Sequence, residues 1–521
     1  MYCILLFLPF MLVTSLSLEA FDGENESGKR YCFGLQEEDY MDIYSLEIPV
    51  IEVTTEDSVR PTFEVSTSPY VGTTQNGLTN NNYVKGRMLI HVKDSIVYDS
   101  GDSIGSMKIK IRGNTSAITP TQKPYKIKLD KKADLMECID GEPAGKDKEW
   151  VLLCANMMTP FGFKVSELVG MEWVPDYRFV NVVLNGDYRG FYLLVENVKR
   201  SEHRCNISKG GFIIEDDAYW WNENAYFHTN LLGEIPMGYT FKYPEVESTE
   251  DTFLLKVKDY MNEIEVMIKN KSDDLEDYID LESFAKWELA HDILGSLDSW
   301  GSNVFIYRDS MTDCKLKMGP LWDFDGIYMT SDAWSNIHTG GTFYFPFLNK
   351  RTDFSEIYKS EYENVRSQIL NVVSIIREEY DDWGDDFNQS MAFNIRKHQV
   401  NRRDYEQEIS VADEWFASRI AWMDSAVQTM EVMDVILIEV AQVAQSDAYW
   451  VSLWGVDDSE QMLLQVYDAT GRMLRCYTNL EKREGSDLIG VKLDLQPGFY
   501  ILHAVNGNKS ASRKLLHTAG W

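Results

Sequence analysis

Short segments in which apolar and polar residues alternate recur between residues 46 and 216. Successive side chains of a strand point to opposite faces of its sheet, so this period of two predicts β-strands with one buried face. The dipeptide Asn185-Gly186 separates two such segments and predicts a tight hairpin. The predicted strands are 46–53, 88–97, Met107–Ile111, 123–129, 149–155, 179–184, 190–196 and 211–216.

A helical period replaces the alternation from residue 252 onwards. Apolar residues recur every three or four positions, and Asp280 stands where a helix N-cap is expected. The predicted helices are Thr252–Lys269, Leu281–Leu294, 356–380 and 396–430. A β-rich first part followed by a helical second part predicts an α+β fold with two lobes and a cleft between them.

Beyond residue 435 the pattern returns to short strands that are broken by Gly and Asn. Such spacing predicts a small β-sandwich over residues 446–521. Its predicted strands are 449–454, 462–468, 488–493, 499–504 and 512–517.

One strongly apolar segment and the large negative net charge limit the expected location and partners of the protein. Residues 1–20 are almost wholly apolar and are followed by a polar stretch over 21–45, which predicts a secretory signal peptide and a linker. No other segment is apolar and long enough to cross a membrane. The formal charge of −33 excludes nucleic acid as a partner of the chain as a whole, because phosphate binding needs a positive field.

The segment 294–325 carries the most informative polar residues. Asn303 follows Asp298 by five positions, and a strand, a turn and a second strand then lead to Trp322-Asp323-Phe324-Asp325. In kinases one Asp meets the acceptor hydroxyl, an Asn five residues later binds metal, and an Asp after the next strands binds Mg²⁺. On these residues alone, turn and cap roles for Asp298 and Asn303 remain an alternative.

Five motifs in the same order resemble the spore-coat protein H (CotH) kinase family. They are the turn 112–116, the strand 123–128, the strand 190–196, the pair Asp298 and Asn303, and the segment 319–325. The resemblance runs from about Leu46 to Met430, and the kinase-like domain that it implies spans residues 46–435. It implies an atypical protein-kinase-like fold that uses ATP and Mg²⁺ to phosphorylate Ser or Thr of an exported or surface protein.

The resemblance also implies roles for the acidic motif. Asp298 corresponds to the residue that orients the acceptor hydroxyl, and Asn303 and Asp323 correspond to metal ligands. Asp325 is either a further metal ligand or a structural cap. Carboxylate and amide oxygens are suitable ligands for Mg²⁺.

The phosphates need cations from the β-rich part, and several residues qualify. Lys126 and Lys128 share one face of their strand, whereas Lys123 is the position most typical of the family. Glu196 is a candidate partner for a lysine or for metal, and Arg112 either positions phosphate or ties the turn that follows it. No glycine-rich loop precedes the lysines, so the backbone of 113–116 is the candidate phosphate cradle.

The C-terminal segment resembles the type IX secretion sorting domain of Bacteroidota over 465–473, 493–500 and 513–515. That resemblance implies export across the outer membrane, and a carbohydrate- or protein-binding module is the alternative. For the whole chain, an inactive kinase-like scaffold protein and a glycoside hydrolase that uses Asp323 and Asp325 are the competing interpretations. The acceptor, and the choice between phosphorylation and nucleotidylation, stay open.

Overall fold

A computed structural model gives the fold of the protein. It describes residues 31–32, 40–69, 76–93, 95–230, 238–296, 302–312, 314–324, 342–399, 403–428, 437–442, 448–454, 461–468, 472–478, 480–482, 489–496, 498–507 and 509–517. The predicted signal peptide and most of the predicted linker lie outside these residues. Two short strands, β1 (Tyr31–Cys32) and β2 (Tyr40–Met41), pair with each other before the main fold begins.

The first part of the chain is dominated by strands. A small hairpin of β4 (Glu64–Thr67) and β5 (Asn76–Thr79) stands beside the main sheet. The main-sheet strands are β3 (Val50–Thr55), β6 (Val84–Val92), β7 (Ser95–Asp99), β8 (Met107–Ile111), β9 (Tyr125–Ala133), β10 (Asp147–Cys154), β11 (Tyr177–Leu184) and β12 (Asp187–Glu196). Three helices interrupt them: α1 (Thr115–Ile118), α2 (Leu135–Asp140) and α3 (Met158–Leu168).

Seven of these described strands close into a barrel. Their order is β3-β11-β12-β10-β9-β8-β6, and β6 returns to pair with β3, while β7 extends the sheet from β6. The expectation of a kinase-like β lobe is therefore wrong in topology, because β3 pairs with both β11 and β6 and leaves the seven-stranded sheet without an edge. Side chains that face inward fill the barrel, among them Ile90, Ile109, Ile127 and the fully buried Trp150.

The second part combines a five-stranded sheet with helices. The described strands of this sheet are β13 (Phe212–Asp217), β14 (Tyr226–Phe227), β15 (Gly238–Tyr243), β16 (Val304–Arg308) and β17 (Lys317–Met318). The helices are α4 (Thr252–Lys269), α5 (Leu281–Leu294), α6 (Phe345–Leu348), α7 (Thr352–Ile369), α8 (Val372–Tyr380), α9 (Gly384–His398) and α10 (Tyr405–Gln428). None of the helices in the described part of the chain is both long and apolar enough to span a bilayer.

The outer face of the barrel and the helices share one core, which is separate from the barrel interior. The outward faces of β11 and β12 carry Phe179 and Phe191, which both pack against Phe387 of α9 with ring centroids 5.1 Å apart. Asn394 of α9 accepts a hydrogen bond from the Phe191 amide at 3.0 Å. These contacts fix the barrel against the helical part, so side chains from both can line one cleft.

Several predicted elements differ from the observed ones. The helices α4 and α5 have the predicted bounds, and the Asp280 side chain accepts the Ser283 amide as an N-cap. The predicted strand 88–97 is instead a hairpin of β6 and β7, with Lys93 in the left-handed region at φ 52°. The predicted helices 356–380 and 396–430 are each divided, and Gln399 at φ 53° ends α9.

The C-terminal segment forms two four-stranded sheets in its described residues. The strands are β18 (Leu437–Gln442), β19 (Ala448–Trp454), β20 (Met462–Asp468), β21 (Met473–Tyr477), β22 (Glu481–Lys482), β23 (Ile489–Asp494), β24 (Gly498–Asn506) and β25 (Lys509–His517). One sheet has the order β18-β19-β23-β22 and the other the order β21-β20-β24-β25, and Val451, Leu464 and Leu502 are buried in their common core. The predicted domain limits at residues 435 and 446 fall outside the described residues and stay predictions.

Candidate active site

Asp323 is held between two buried aromatic residues. Trp322 and Phe324 are 3% and 0% exposed, and Phe324 packs on Phe163 of α3 with ring centroids 5.5 Å apart. Asp323 itself has a φ of 65°, a left-handed conformation that is uncommon for residues other than glycine. Such conformations persist where the surrounding packing enforces them, and they concentrate at functional sites. The aromatic neighbours thus fix the direction in which the carboxylate leaves the chain.

A cavity of about 530 Å³ lies at this point between the barrel and the helices. Asp323 lines it together with Arg112, which follows β8 and places its guanidinium carbon 5.9 Å from the centre of the Trp322 ring. The remaining lining residues are Ser116, Pro124, Leu153, Cys154, Asn156, Met158, Thr159, Met391, Arg403, Gln407 and Glu408. The structure therefore brings a carboxylate and a guanidinium that are 211 positions apart, at residues 112 and 323, to one space.

The N-terminus of α3 opens into the same cavity. The Asn156 side chain accepts the Thr159 amide at 2.8 Å, and Asn156, Met158 and Thr159 all line the cavity. The Thr159 N–H is taken by Asn156 and Pro160 has no N–H, so this first turn offers a ligand chiefly the partial positive charge of the helix end. Together with Arg112, this end of α3 favours an anionic ligand.

The turn that follows Arg112 is tied on several sides. The Arg112 amide donates to the Pro124 carbonyl at 3.1 Å, and Asn114 accepts the Leu78 amide at 3.1 Å. Gly113 has a φ of 84°, and a Cβ there would be 2.4 Å from Ser116 Oγ. Only glycine fits this turn without displacement. The tight turn presents Arg112 and Ser116 to the cavity.

Lys126 and Lys128 project from β9 to the outside of the barrel and meet Glu149 of β10. The Lys126 Nζ is 2.8 Å and the Lys128 Nζ is 3.1 Å from the Glu149 carboxylate. Burial raises the pKa of Glu149, but both lysines outweigh it and lower that pKa to about 2. Burial lowers the pKa of Lys126, with Glu149 acting against it and Arg112 with it. Because Lys126 stands opposite Lys110 and Arg112 follows Lys110 by two positions, the ion-paired cluster lies next to Arg112, which lines the cavity.

Lys123 and Glu196 have other partners. The Lys123 ammonium donates to the carbonyls of Ala117 and Pro120 at 2.6 and 2.5 Å, so it ties the segment that contains α1. The Glu196 carboxylate accepts from Arg204 Nε at 3.1 Å in a buried pair. Burial raises the pKa of Glu196 to about 7, although Arg204 opposes the rise. Lys126 and Lys128 are thus paired with Glu149 and not with Glu196.

Asn303 stands beside a strand that ends in three acidic residues. Its backbone N–H donates to the Glu215 carboxylate at 3.0 Å. The same carboxylate lies 2.5 Å from the Lys242 ammonium. Burial, and then Glu215, raise the pKa of Asp217 to about 7. The structure places Asn303 with this acidic strand, and the side chains that line the cavity do not include it. Asp298 and Asp325 lie outside the described residues, so their predicted roles stay predictions.

Several of these residues were not predicted from the sequence. Glu149 alternates with the buried Trp150, which marks it as outward-facing, but only the register of β9 on β10 places it opposite Lys128. The helix α3 was not predicted, although Asn156 ahead of an apolar run is an N-cap signal. The residues Arg403, Gln407 and Glu408 reach the cavity by tertiary packing alone.

A comparison with protein families identifies the family of the chain. The sequence model described as CotH kinase protein matches residues 109–423, which is more than half of the chain. The chain belongs to the CotH kinase protein family. No curated protein matches the chain.

Membership of the CotH kinase family indicates an atypical kinase. The matched residues begin inside β8, just before Arg112, and end within α10, so they enclose every described residue that lines the cavity. They also enclose the pair of Lys126 and Glu149. The cavity is therefore the candidate active site, and the C-terminal sandwich lies outside the match.

Proposed function

We propose that this CotH kinase family protein is a secreted phosphotransferase that moves the γ-phosphoryl group of ATP to Ser or Thr of an exported or surface protein. The observation that carries the proposal is the cavity that Asp323 and Arg112 line together with the N-terminus of α3. A carboxylate for metal and two sources of positive charge for phosphate are what phosphoryl transfer requires of a protein.

The residues present fit a metal–nucleotide complex. The cavity volume of about 530 Å³ lies within the range of roughly 300–1,000 Å³ that is typical of small-molecule sites. No group of three or more His, Cys, Asp or Glu side chains forms a metal cage within the described residues. Mg²⁺ at phosphate-transfer sites is commonly held by one or two carboxylates and by the phosphates themselves, so Asp323 suits it.

Each described residue has a defined task in this proposal. Asp323 supplies a hard oxygen ligand whose direction is fixed by its aromatic neighbours. Arg112 holds the phosphate oxygens, and the partial positive charge at the start of α3 favours them at this place. Lys126, oriented by Glu149, adds positive charge beside Arg112. A bound Mg²⁺ would offset the negative charge of the transferred group.

The acceptor side of the proposal rests on the family. Asp298, which orients the acceptor hydroxyl by resemblance, follows α5 by four positions. Gly295, in the left-handed conformation at φ 61°, ends that helix. Export is proposed from the apolar segment 1–20, and delivery by a type IX pathway is proposed from the C-terminal sandwich.

Incubation of the signal-free protein with labelled ATP tests the proposal. Label at the γ position is expected to pass to Ser or Thr of the protein itself or of added surface proteins, and label at the α position is not. Asp323→Asn is expected to abolish the transfer, whereas Asp130→Asn, an exposed carboxylate on β9, serves as the charge-matched control. Transfer of α label would establish nucleotidylation instead, and the absence of both would leave a binding protein.

A further inference from the structure

The outward face of β6, β8 and β9 carries a concentration of lysines on a strongly acidic protein. The whole chain has 83 acidic and 50 basic residues. On this face Lys85, Lys108 and Lys128 stand directly opposite one another on adjacent strands, because Lys85 pairs with Lys108 and Lys108 with Lys128. We call these three residues the outer lysine row.

A second row lies between the outer lysine row and the cavity. Lys110 of β8 stands opposite Lys126 of β9. Burial, and then the neighbouring Lys126, lower the pKa of Lys110, while Glu223 and Glu149 oppose this. The Lys126 ammonium lies 2.8 Å from the Glu149 carboxylate, and Arg112 follows Lys110 by two positions, so this inner pair is compensated and stands next to Arg112.

The positive charges of the outer lysine row have fewer carboxylate partners than those of the inner pair, Lys110 and Lys126. Lys128 shares the Glu149 carboxylate with Lys126, but the described part of the chain forms no ion pair with Lys85 or Lys108. The Lys108 ammonium lies 4.7 Å from the centre of the Tyr83 ring, which supports the side chain without neutralising it. Like charges directly opposite on neighbouring strands destabilise a sheet, so the arrangement costs stability in the isolated protein.

We propose that the outer lysine row binds an acidic segment of the polypeptide that is to be phosphorylated. This inference rests on the proposed function and adds the substrate class. The row lies on the same strand as Arg112, four residues before it, which is roughly 13 Å in an extended strand. If the acceptor Ser or Thr of an extended polypeptide lies at the cavity, a residue about four positions away reaches the outer lysine row. We expect that residue to be Asp or Glu.

The charge distribution favours a polypeptide over a nucleic acid. A short acidic segment needs only a local match to Lys85, Lys108 and Lys128. A duplex extends far beyond the row and meets the negative field of a protein with a net charge of −33. The exposed position of Lys85 leaves the row accessible to an extended chain.

Binding of labelled peptides tests the inference without relying on catalysis. The probe is a short fluorescein-labelled peptide with one Ser and several Glu, and its partner has Gln at every Glu position. We expect the Glu peptide to bind more tightly and to weaken as salt is added. The double variant Lys85→Gln/Lys108→Gln is expected to lose about tenfold or more in affinity for it, as the loss of two charge contacts predicts.

The control is Lys256→Gln/Lys258→Gln on α4, which removes the same charge from a similarly exposed pair. An equal loss in both variants, equal binding of the two peptides, or equally tight lysine-dependent binding of single-stranded DNA would each overturn the inference. Calorimetric titration with ATP and Mg²⁺ separates the two proposals. Failure of the peptide test with ATP binding intact rejects the acidic substrate alone, and absence of ATP binding rejects the proposed function.

Discussion

The ring of Phe324 lies directly against the backbone of Gly162 in α3. A Cβ at position 162 would be 2.2 Å from Cγ of Phe324, which is far inside van der Waals contact. The contact links the first turns of α3, whose N-terminus opens into the cavity, to the residue that follows Asp323. The contact between Phe324 and Gly162 thus fixes the position of Asp323, the candidate metal ligand, relative to the N-terminus of α3, which favours an anion.

Gly162→Ala is expected to disturb both stability and ligand binding. The added methyl group must displace Phe324 or α3, and overpacking of this kind costs about 1–3 kcal/mol. Because Asp323 moves with Phe324, we expect the affinity for ATP with Mg²⁺ to fall as well. Urea denaturation and calorimetry measure the two effects. Gly384→Ala at the start of α9 has open space around the new Cβ and is the matched control. Unchanged affinity in Gly162→Ala would show that the contact does not position Asp323.

Lys126 of β9 and Lys123, which precedes that strand, are expected to differ in role. Lys126→Met removes the cation that Glu149 orients beside Arg112, so we expect at least a tenfold loss of ATP affinity. Lys123→Met removes the donor to the carbonyls of Ala117 and Pro120, which costs about 1 kcal/mol of stability. ATP affinity should remain unchanged in that variant. The opposite pattern in calorimetry and denaturation would assign the phosphate contact to Lys123.

The ion pairs of Glu149 predict a specific pH dependence. Lys126 and Lys128 hold the pKa of Glu149 near 2, below the value of about 4.3 for an unfolded chain. A carboxyl group with a lowered pKa stabilises the fold fully above its unfolded pKa and loses this contribution as the pH falls through its folded pKa. The free energy of unfolding of Glu149→Gln should therefore lie below that of the native protein at neutral pH.

The difference in free energy of unfolding between Glu149→Gln and the native protein should decrease as the pH is lowered from about 5 towards 2. Glu142→Gln, an exposed residue that precedes β10, is the control and should show no such change. If the difference in free energy of unfolding between Glu149→Gln and the native protein did not depend on pH, the lysines would not stabilise the Glu149 carboxylate.

The elements that local sequence determines were predicted well. The helix α5 has its predicted bounds because Asp280 caps it and its apolar residues follow a helical period. Barrel closure was not predicted, since the pairing of β3 with β6 joins segments that are distant in sequence and lack a local signal. The divisions at Lys93 and Gln399 were also missed, because left-handed residues other than glycine have little sequence signature.

The candidate site shows the same division. The sequence identified Asp323, Arg112 and the lysines of β9 as residues with suitable chemistry. It did not show which of them meet, since Glu149 reaches the lysines through strand register and α10 reaches the cavity through helix packing. The chemical suitability of single residues could be predicted from their type and spacing. Which residues contact one another could be learned only from the fold.

The most direct test of the account is calorimetric titration of the signal-free protein with ATP, with and without Mg²⁺, beside Asp323→Asn and its control Asp130→Asn. We expect binding that depends on Mg²⁺, that persists in Asp130→Asn and that is lost in Asp323→Asn. Binding that is equally strong without metal, or equally strong in Asp323→Asn, would contradict the assignment of this cavity as the metal–nucleotide site.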